Sequence, residues 1–171
     1  MRNLSRRDEI WEGRTNEIMN YKFEINERAI GKERPRYSSK TGRMYTPEAT
    51  RSFEEKVKWS FTSKYNVSMK LSEKPFKAKI TAIFKPADSL SKKKKEELIS
   101  SVDYTHKPDA DNVAKIILDS LNGLAYKDDS QVTALLVFKD YGEENKIIVE
   151  LEEIEEAKDE EMYRLWLCNY L

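Results

Sequence analysis

Residues 107–115 read KPDADNVAK, with Asp109 and Asp111 flanking a single alanine. The residue before a proline avoids the helical region, so Lys107-Pro108 predicts extended backbone up to Asp109. In extended chain, side chains two positions apart share a face, and the two carboxylates then point the same way. From Asp111 the pattern turns helical. Asp111, Lys115 and Asp119 fall four apart on one polar stripe, with Val113, Ile116, Ile117 and Leu121 on the other side. A second acidic pair, Asp128-Asp129, follows the helix stop Asn122-Gly123 and immediately precedes a strand-like run. A helix–turn–strand path can carry these acids back toward the helix start. Like charges that converge cost free energy unless a cation neutralises them. Oxygen donors of this kind suit Mg²⁺ or Mn²⁺. A lysine beside them suits phosphoryl transfer, in which the metal polarises a phosphodiester and activates water and the lysine neutralises developing charge.

Blander readings of the same residues stand beside this one. Asp111 as an N-cap is a complete structural account of that residue, and Asp128-Asp129 suits an ordinary turn. An EF-hand is excluded, because Ala114 stands at the sixth loop position and Ser120 at the twelfth. There is no Gly-rich phosphate loop. His106 is the sole histidine and Cys168 the sole cysteine. Histidine-based metal clusters, cysteine-based zinc and an internal disulfide are therefore excluded. His106 either meets a phosphate or sits in the connection.

The elements that must position these groups follow from period and punctuation. Tyr21–Ile25 and Phe76–Phe84 alternate apolar and charged residues as half-buried strands do, the second with its lysines outward. Thr46-Pro47 predicts an N-cap and first helical position, opening a helix to about Tyr65 with Phe53, Val57, Phe61 and Tyr65 on one side. Leu90–Ile99 is a short charged helix after a serine cap. Asp111–Leu121 is a second strong helix. Gln131–Phe138 and Lys146–Leu151 are β-branched and apolar runs, and DYGEEN between them predicts a hairpin. Ala29–Thr46 reads as a long basic loop, a type that is often functional. Arg7–Met19 has helical character, and Met162, Leu165, Trp166 and Tyr170 suggest an apolar stripe on a C-terminal helix.

The chain has 171 residues, 31 basic and 31 acidic, so its net charge is zero. Its 9 Tyr, 6 Phe and 3 Trp supply a core, which argues against wholesale disorder. The charge is segregated. Arg28–Arg43 carries six basic residues and one acid, Lys77–Lys95 seven lysines and one acid, and Asp140–Glu161 eleven acids and two lysines. Segregated charge can put a basic face on a neutral molecule. Arg34, Arg36, Lys40 and Arg43 are the leading phosphate contacts, with Lys107 beside the acids and Lys92–Lys95 as weaker candidates. No apolar run approaches the ~18 residues that span a bilayer, and MRNLSRRDEIWEGR lacks a signal peptide's apolar stretch. The expectation is a cytoplasmic protein with no membrane partner.

The run HKPDADNVAKIILDSLNGLAYKDDSQV resembles the RusA family of Holliday junction resolvases. The matched pieces are Pro108 to Asn112, then Lys115, Asp119 and Leu121, then Asp128 to Val132. GKERPRY with TPEAT, and the SKKKK segment, add to the likeness. The resemblance covers residues 20–152. It leaves residues 1–19 as an N-terminal extension and 153–171 as an acidic C-terminal extension, read as helical. It implies an α+β fold in which a small mixed sheet carries helices, as a single domain. It implies a homodimeric endonuclease that binds four-way DNA junctions and nicks two opposed strands with Mg²⁺ or Mn²⁺. Carried over by motif position, Asp109, Asp111 and Asp129 are the catalytic carboxylates and Lys115 the essential lysine. Asp128 joins the metal ligands, and Asp119 and Asp128 can also support them from behind. Two other readings remain: a DNA-junction-binding protein that kept the fold without catalysis, and a glycosyltransferase using its Asp-x-Asp, for which no nucleotide-binding motif is present.

Overall fold

The computed structural model describes residues 19–65, 71–100 and 104–154. The expected helices at Arg7–Met19 and around Met162–Tyr170 lie outside these residues, apart from Met19 itself.

Chain order is β1 (Asn20–Ile25), β2 (Arg36–Ser38), β3 (Arg43–Tyr45), α1 (Glu48–Lys64), β4 (Phe76–Phe84), α2 (Lys92–Ser100), α3 (Ala110–Leu121), a 3₁₀ turn (Asp129–Gln131), β5 (Val132–Tyr141) and β6 (Lys146–Glu153). Four strands form a mixed sheet in the order β1-β6-β4-β5, and β2-β3 form a separate hairpin. β5 runs parallel to β4, while β6 runs antiparallel to both β4 and β1. This is the small mixed sheet with helices expected from the sequence.

β4 is central because Phe76, Ala78, Ile80, Ala82 and Phe84 are all fully buried. Burial of each large apolar side chain contributes roughly 1.5–3 kcal/mol. α1 covers them with Phe53, Val57 and Phe61, and α3 with Val113, Ile116, Ile117 and Leu121. On the opposite face, ion pairs cross the strands: Lys22–Glu150 at 2.6 Å, Lys77–Glu152 at 3.3 Å and Lys146–Glu24 at 3.1 Å. Lys77, expected outward and solvated, is on that face but only 4% exposed.

The expected hairpin between the last two strands is not formed. β4 lies between β5 and β6. Gly142–Asn145 cross the end of β4, with Gly142 N–H donating to Phe84 O at 3.1 Å and Lys85 N–H to Asn145 Oδ1 at 3.0 Å. Two strand spacings are about 10 Å, which four extended residues span. A turn signal reports that the chain reverses, not which strand fills the gap. Three boundaries also shift. α1 begins after Pro47, not at it. α2 begins at Lys92 with Ser91 Oγ accepting from Lys94 N–H at 3.3 Å. β6 extends through the buried Glu153, which accepts from Ser72 Oγ and from Met19 N–H. Among the described residues no helix is long and apolar enough to cross a membrane.

Candidate active site

α3 starts one residue earlier than its pattern suggests. Asp109 occupies the N-cap position with φ −70° and ψ 147°, and Asp111 lies in the first turn. The expectation that Asp111 opens or caps the helix is therefore corrected, since Ala110 is the first helical residue. Asp109 makes no side-chain capping bond. Among the described residues the side chains of Asp109, Asp111 and Lys115 have no hydrogen bond or ion pair. The helix dipole favours two carboxylates here. Nothing in the described protein engages them.

The loop that delivers Asp109 is tied down from the sheet. Lys139 Nζ on β5 donates to His106 O and Pro108 O, both at 2.8 Å. Tyr104 OH donates to Lys107 O at 3.0 Å, and Arg28 donates to Tyr104 OH at 3.0 Å. The Tyr104 ring stacks on Phe84 at 3.9 Å. The Lys107-Pro108 bond is cis. His106 is exposed and contributes its backbone carbonyl to this support.

From the other side, the chain after β1 packs on the start of α3. Lys32 N–H donates to Asn112 O at 3.1 Å. A Cβ at Gly31 would lie 3.1 Å from Asn112 Cβ and 3.3 Å from Pro108 Cβ, closer than ordinary contact. Glycine lets the two segments approach this closely without displacing Asn112 or Pro108. The result is an open cleft of about 510 Å³ lined by Arg28, Gly31, Lys32, Lys107, Asp109 and Asn112, among others.

The second acidic pair divides into two roles. Asp128 caps the 3₁₀ turn, accepting from Ser130 N–H at 3.0 Å, and its hydrogen bonds to Ser130 hold the carboxyl below its usual value. Gln131 pins the turn, accepting from Lys127 N–H and Asp128 N–H and donating to Ser72 O and Lys74 O. Asp129 instead stands beside Asp119 of α3, near enough for the two carboxylates to interact. Burial, then that contact and the Asp119 charge, push the Asp129 carboxyl up. Beneath them Tyr126 is fully buried, and its hydroxyl donates to Leu118 O at 2.9 Å. Burial and the charges of Asp129, Asp119 and Asp128 raise that hydroxyl far above its ordinary value.

Lys32 closes this second cluster. Its ammonium contacts Asp119 and lies 3.1 Å from Glu54 of α1. Burial works against its charge, but the two carboxylates outweigh that and hold the ammonium above its usual value.

The acids are thus arranged as two groups, Asp109–Asp111 and Asp119–Asp129. Asp119 lies eight residues beyond Asp111, about 12 Å along the helix. Among the described residues no three His, Cys, Asp or Glu side chains converge as a metal site. Asp109 and Asp111 stand at the start of α3, and Asp129 stands beside Asp119 toward its end. The donor chemistry still fits a hard cation. Mg²⁺ is commonly held by one or two carboxylates, with waters and substrate phosphate completing its octahedron, and Asp109 and Asp111 are two such unengaged groups.

The segment expected as a basic loop is in part the β2–β3 hairpin. Arg34, Arg36, Lys40 and Arg43 are all exposed on or beside it, and Arg36 pairs with Glu33 at 2.6 Å. Lys107 is exposed on the rim of the Asp109 cleft. Lys32 and Glu54 were not foreseen as parts of the site. Lys32 is 87 residues from Asp119 in sequence, and the one available signal was its place inside GKERPRY.

A family model described as endodeoxyribonuclease RusA matches residues 27–152, a span that contains the hairpin, α3 and the Asp128-Asp129 turn. The chain is also similar to the uncharacterized protein YqaN of Bacillus subtilis (strain 168). The two are 32% identical over 136 residues, which is 78% of this chain and 96% of that protein.

Proposed function

The chain belongs to the RusA endodeoxyribonuclease family, and on that premise we propose that it is a Mg²⁺-dependent endonuclease that resolves four-way DNA junctions by paired nicks in opposed strands, in recombination or repair. Mn²⁺ can replace Mg²⁺ in this reading, and the setting is cytoplasmic. The observation that carries it is the pair Asp109 and Asp111, side by side at the start of α3, with neither carboxylate used for capping or ion pairing among the described residues.

Asp109 and Asp111 would hold the ion, with Asp129 completing the catalytic acids once it leaves Asp119. When bound, the metal supplies a polarised phosphoryl oxygen and a more acidic water. Lys115 lies one helical turn beyond Asp111 on the exposed side, where its charge offsets negative charge building on the phosphate. Lys107, Arg34, Arg36, Lys40 and Arg43 bind backbone phosphates, which positions the substrate without reading sequence. Asp128 caps its turn through Oδ1 and so orients Asp129, and its carboxylate would join the metal ligands. Two copies related by a two-fold axis would present one such centre to each of two opposed strands.

The test is a labelled four-way junction incubated with the protein and Mg²⁺ or Mn²⁺. Symmetric paired nicks that vanish in Asp111→Asn and on chelation are expected. Absence of nicks, or nicking that survives Asp111→Asn, would overturn the reading.

A further inference from the structure

The β2–β3 hairpin carries an apolar face that nothing in the described protein covers. Neither strand joins the main sheet. Tyr37 and Met44 are cross-strand partners and so share one face, on which they are 65% and 62% exposed. Arg36 pairs with Tyr45, and Ser38 with Arg43, so both arginines occupy the other face. A lone two-stranded hairpin is marginal in water, and two large apolar side chains at its centre add to that cost. Around them stand Arg34, Arg36, Lys40 and Arg43 against one acid, Glu33. The exposed Arg36–Glu33 pair is weak and yields readily to a phosphate. An apolar face on a hairpin whose other face and flanks carry arginine and lysine matches a ligand with flat apolar groups inside a polyanionic frame, which is nucleic acid.

Position adds the second half of the argument. Both legs of the hairpin come from the Asp109 cleft, since Glu33 before it and Ala49 after it line that cleft together with Asp109. Tyr37 is four residues beyond Glu33, at most about 13 Å of chain. That corresponds to roughly four base steps of 3.4 Å.

We propose that the β2–β3 hairpin is an unstacking wedge, whose Tyr37–Met44 face enters the base stack at the branch point of a junction while its arginine face holds the flanking phosphates. The proposal rests on the nuclease reading above and goes beyond it, by assigning branch recognition to named side chains. Tyrosine offers a stacking platform for any base, and methionine is an apolar wedge of the kind that parts base steps. A branch point presents open pair ends, so unstacking costs less there than in continuous duplex. The wedge therefore favours branched over linear DNA without reading sequence, and it sets the cut within about four base steps of the branch.

The experiment uses four-way junctions carrying 2-aminopurine at the branch or within an arm, with Ca²⁺ replacing Mg²⁺ so that the DNA stays intact. The wild-type protein is expected to raise branch-point fluorescence several-fold and to leave the arm signal unchanged. The double variant Tyr37→Ser/Met44→Ser should lose that rise and bind junctions roughly tenfold more weakly, while its binding to linear duplex falls less. Its circular dichroism and melting transition show that it folds. An unchanged rise in the double variant, or equal loss of junction and duplex binding, overturns the wedge. So does loss of self-association in the double variant by sedimentation, which would assign the face to a second copy of the chain. Wild type that nicks junctions in Mg²⁺ without any base signal also overturns the wedge alone. Wild type that gives the base signal but never nicks overturns the nuclease reading instead.

Discussion

The carboxylates of Asp119 and Asp129 face each other closely enough for the Asp119 charge to raise the Asp129 carboxyl, although one lies on α3 and the other on the turn that opens β5. Two carboxylates in contact share a proton or repel, and burial together with the Asp119 charge raises the Asp129 value. A carboxyl raised on folding binds its proton more tightly in the native state. Its favourable contribution is full below the unfolded value near 4 and is lost as pH rises through the folded value. Asp129→Asn keeps a hydrogen-bond partner for Asp119 and removes the repulsion. The variant should melt higher than wild type at pH 7, by a few degrees at most because the pair is open to water. The gap should close as pH falls toward 4, and a wild type that melts higher at pH 7 would contradict this.

Lys32 should matter for stability as much as for activity. It is the cation between Asp119 and Glu54, with a quarter of its side chain exposed (25%). Lys32→Met keeps the length and leaves both acids uncompensated, which should cost about 1–2 kcal/mol in urea unfolding at pH 7. Lys32→Arg should recover most of it. The ammonium value is raised in the folded protein, so this stabilisation is full below the usual lysine value near 10.4 and lost as pH rises beyond it. The gap between wild type and Lys32→Met should therefore narrow only in strongly alkaline buffer.

What the sequence made legible was local. Period-2 alternation marked β1 and β4, the four-residue spacing marked α1 and α3, and Asn122-Gly123 marked the end of α3, where Gly123 has φ 73°. Asp109 and Asp111 could be read as a pair because their spacing is set within one short segment. What it hid was long-range. The insertion of β4 between β5 and β6 depends on pairing between distant residues. The partner of Asp129 depends on where the end of α3 meets the turn, and no spacing rule distinguishes Asp119 from Asp111 there. The hairpin inside the basic loop was hidden because three-residue strands give too few alternations to register.

Asp109 and Asp111 make a metal-specific stability prediction that does not require catalysis. A ligand that binds only the folded protein stabilises it by RT ln(1 + [L]/Kd), about 2.7 kcal/mol at a hundredfold excess over Kd. Millimolar Mn²⁺ should raise the wild-type melting temperature. Asp109→Asn/Asp111→Asn should abolish that rise while changing the metal-free melting temperature little, since neither carboxylate has a partner among the described residues. An undiminished Mn²⁺ shift in the double variant would place the ion elsewhere, with Asp119–Asp129 the first alternative.

Gln131 should control the geometry of Asp129 without touching DNA. Its side chain accepts from two backbone N–H groups and donates to Ser72 O and Lys74 O, so one amide holds the turn to the chain ahead of β4. Gln131→Leu removes all four bonds and should cost about 1 kcal/mol, the usual net worth of intramolecular hydrogen bonds at a half-buried site. Junction affinity should stay within about twofold, because the phosphate contacts lie on the hairpin and at Lys107. The nicking rate at saturating protein should fall by at least about tenfold, since small misplacement of a catalytic group is costly. Gln131→Glu keeps two acceptors but loses both donors, and should fall between the two. If Gln131→Leu weakened binding and left the rate of bound junctions unchanged, Asp129 would not depend on this turn.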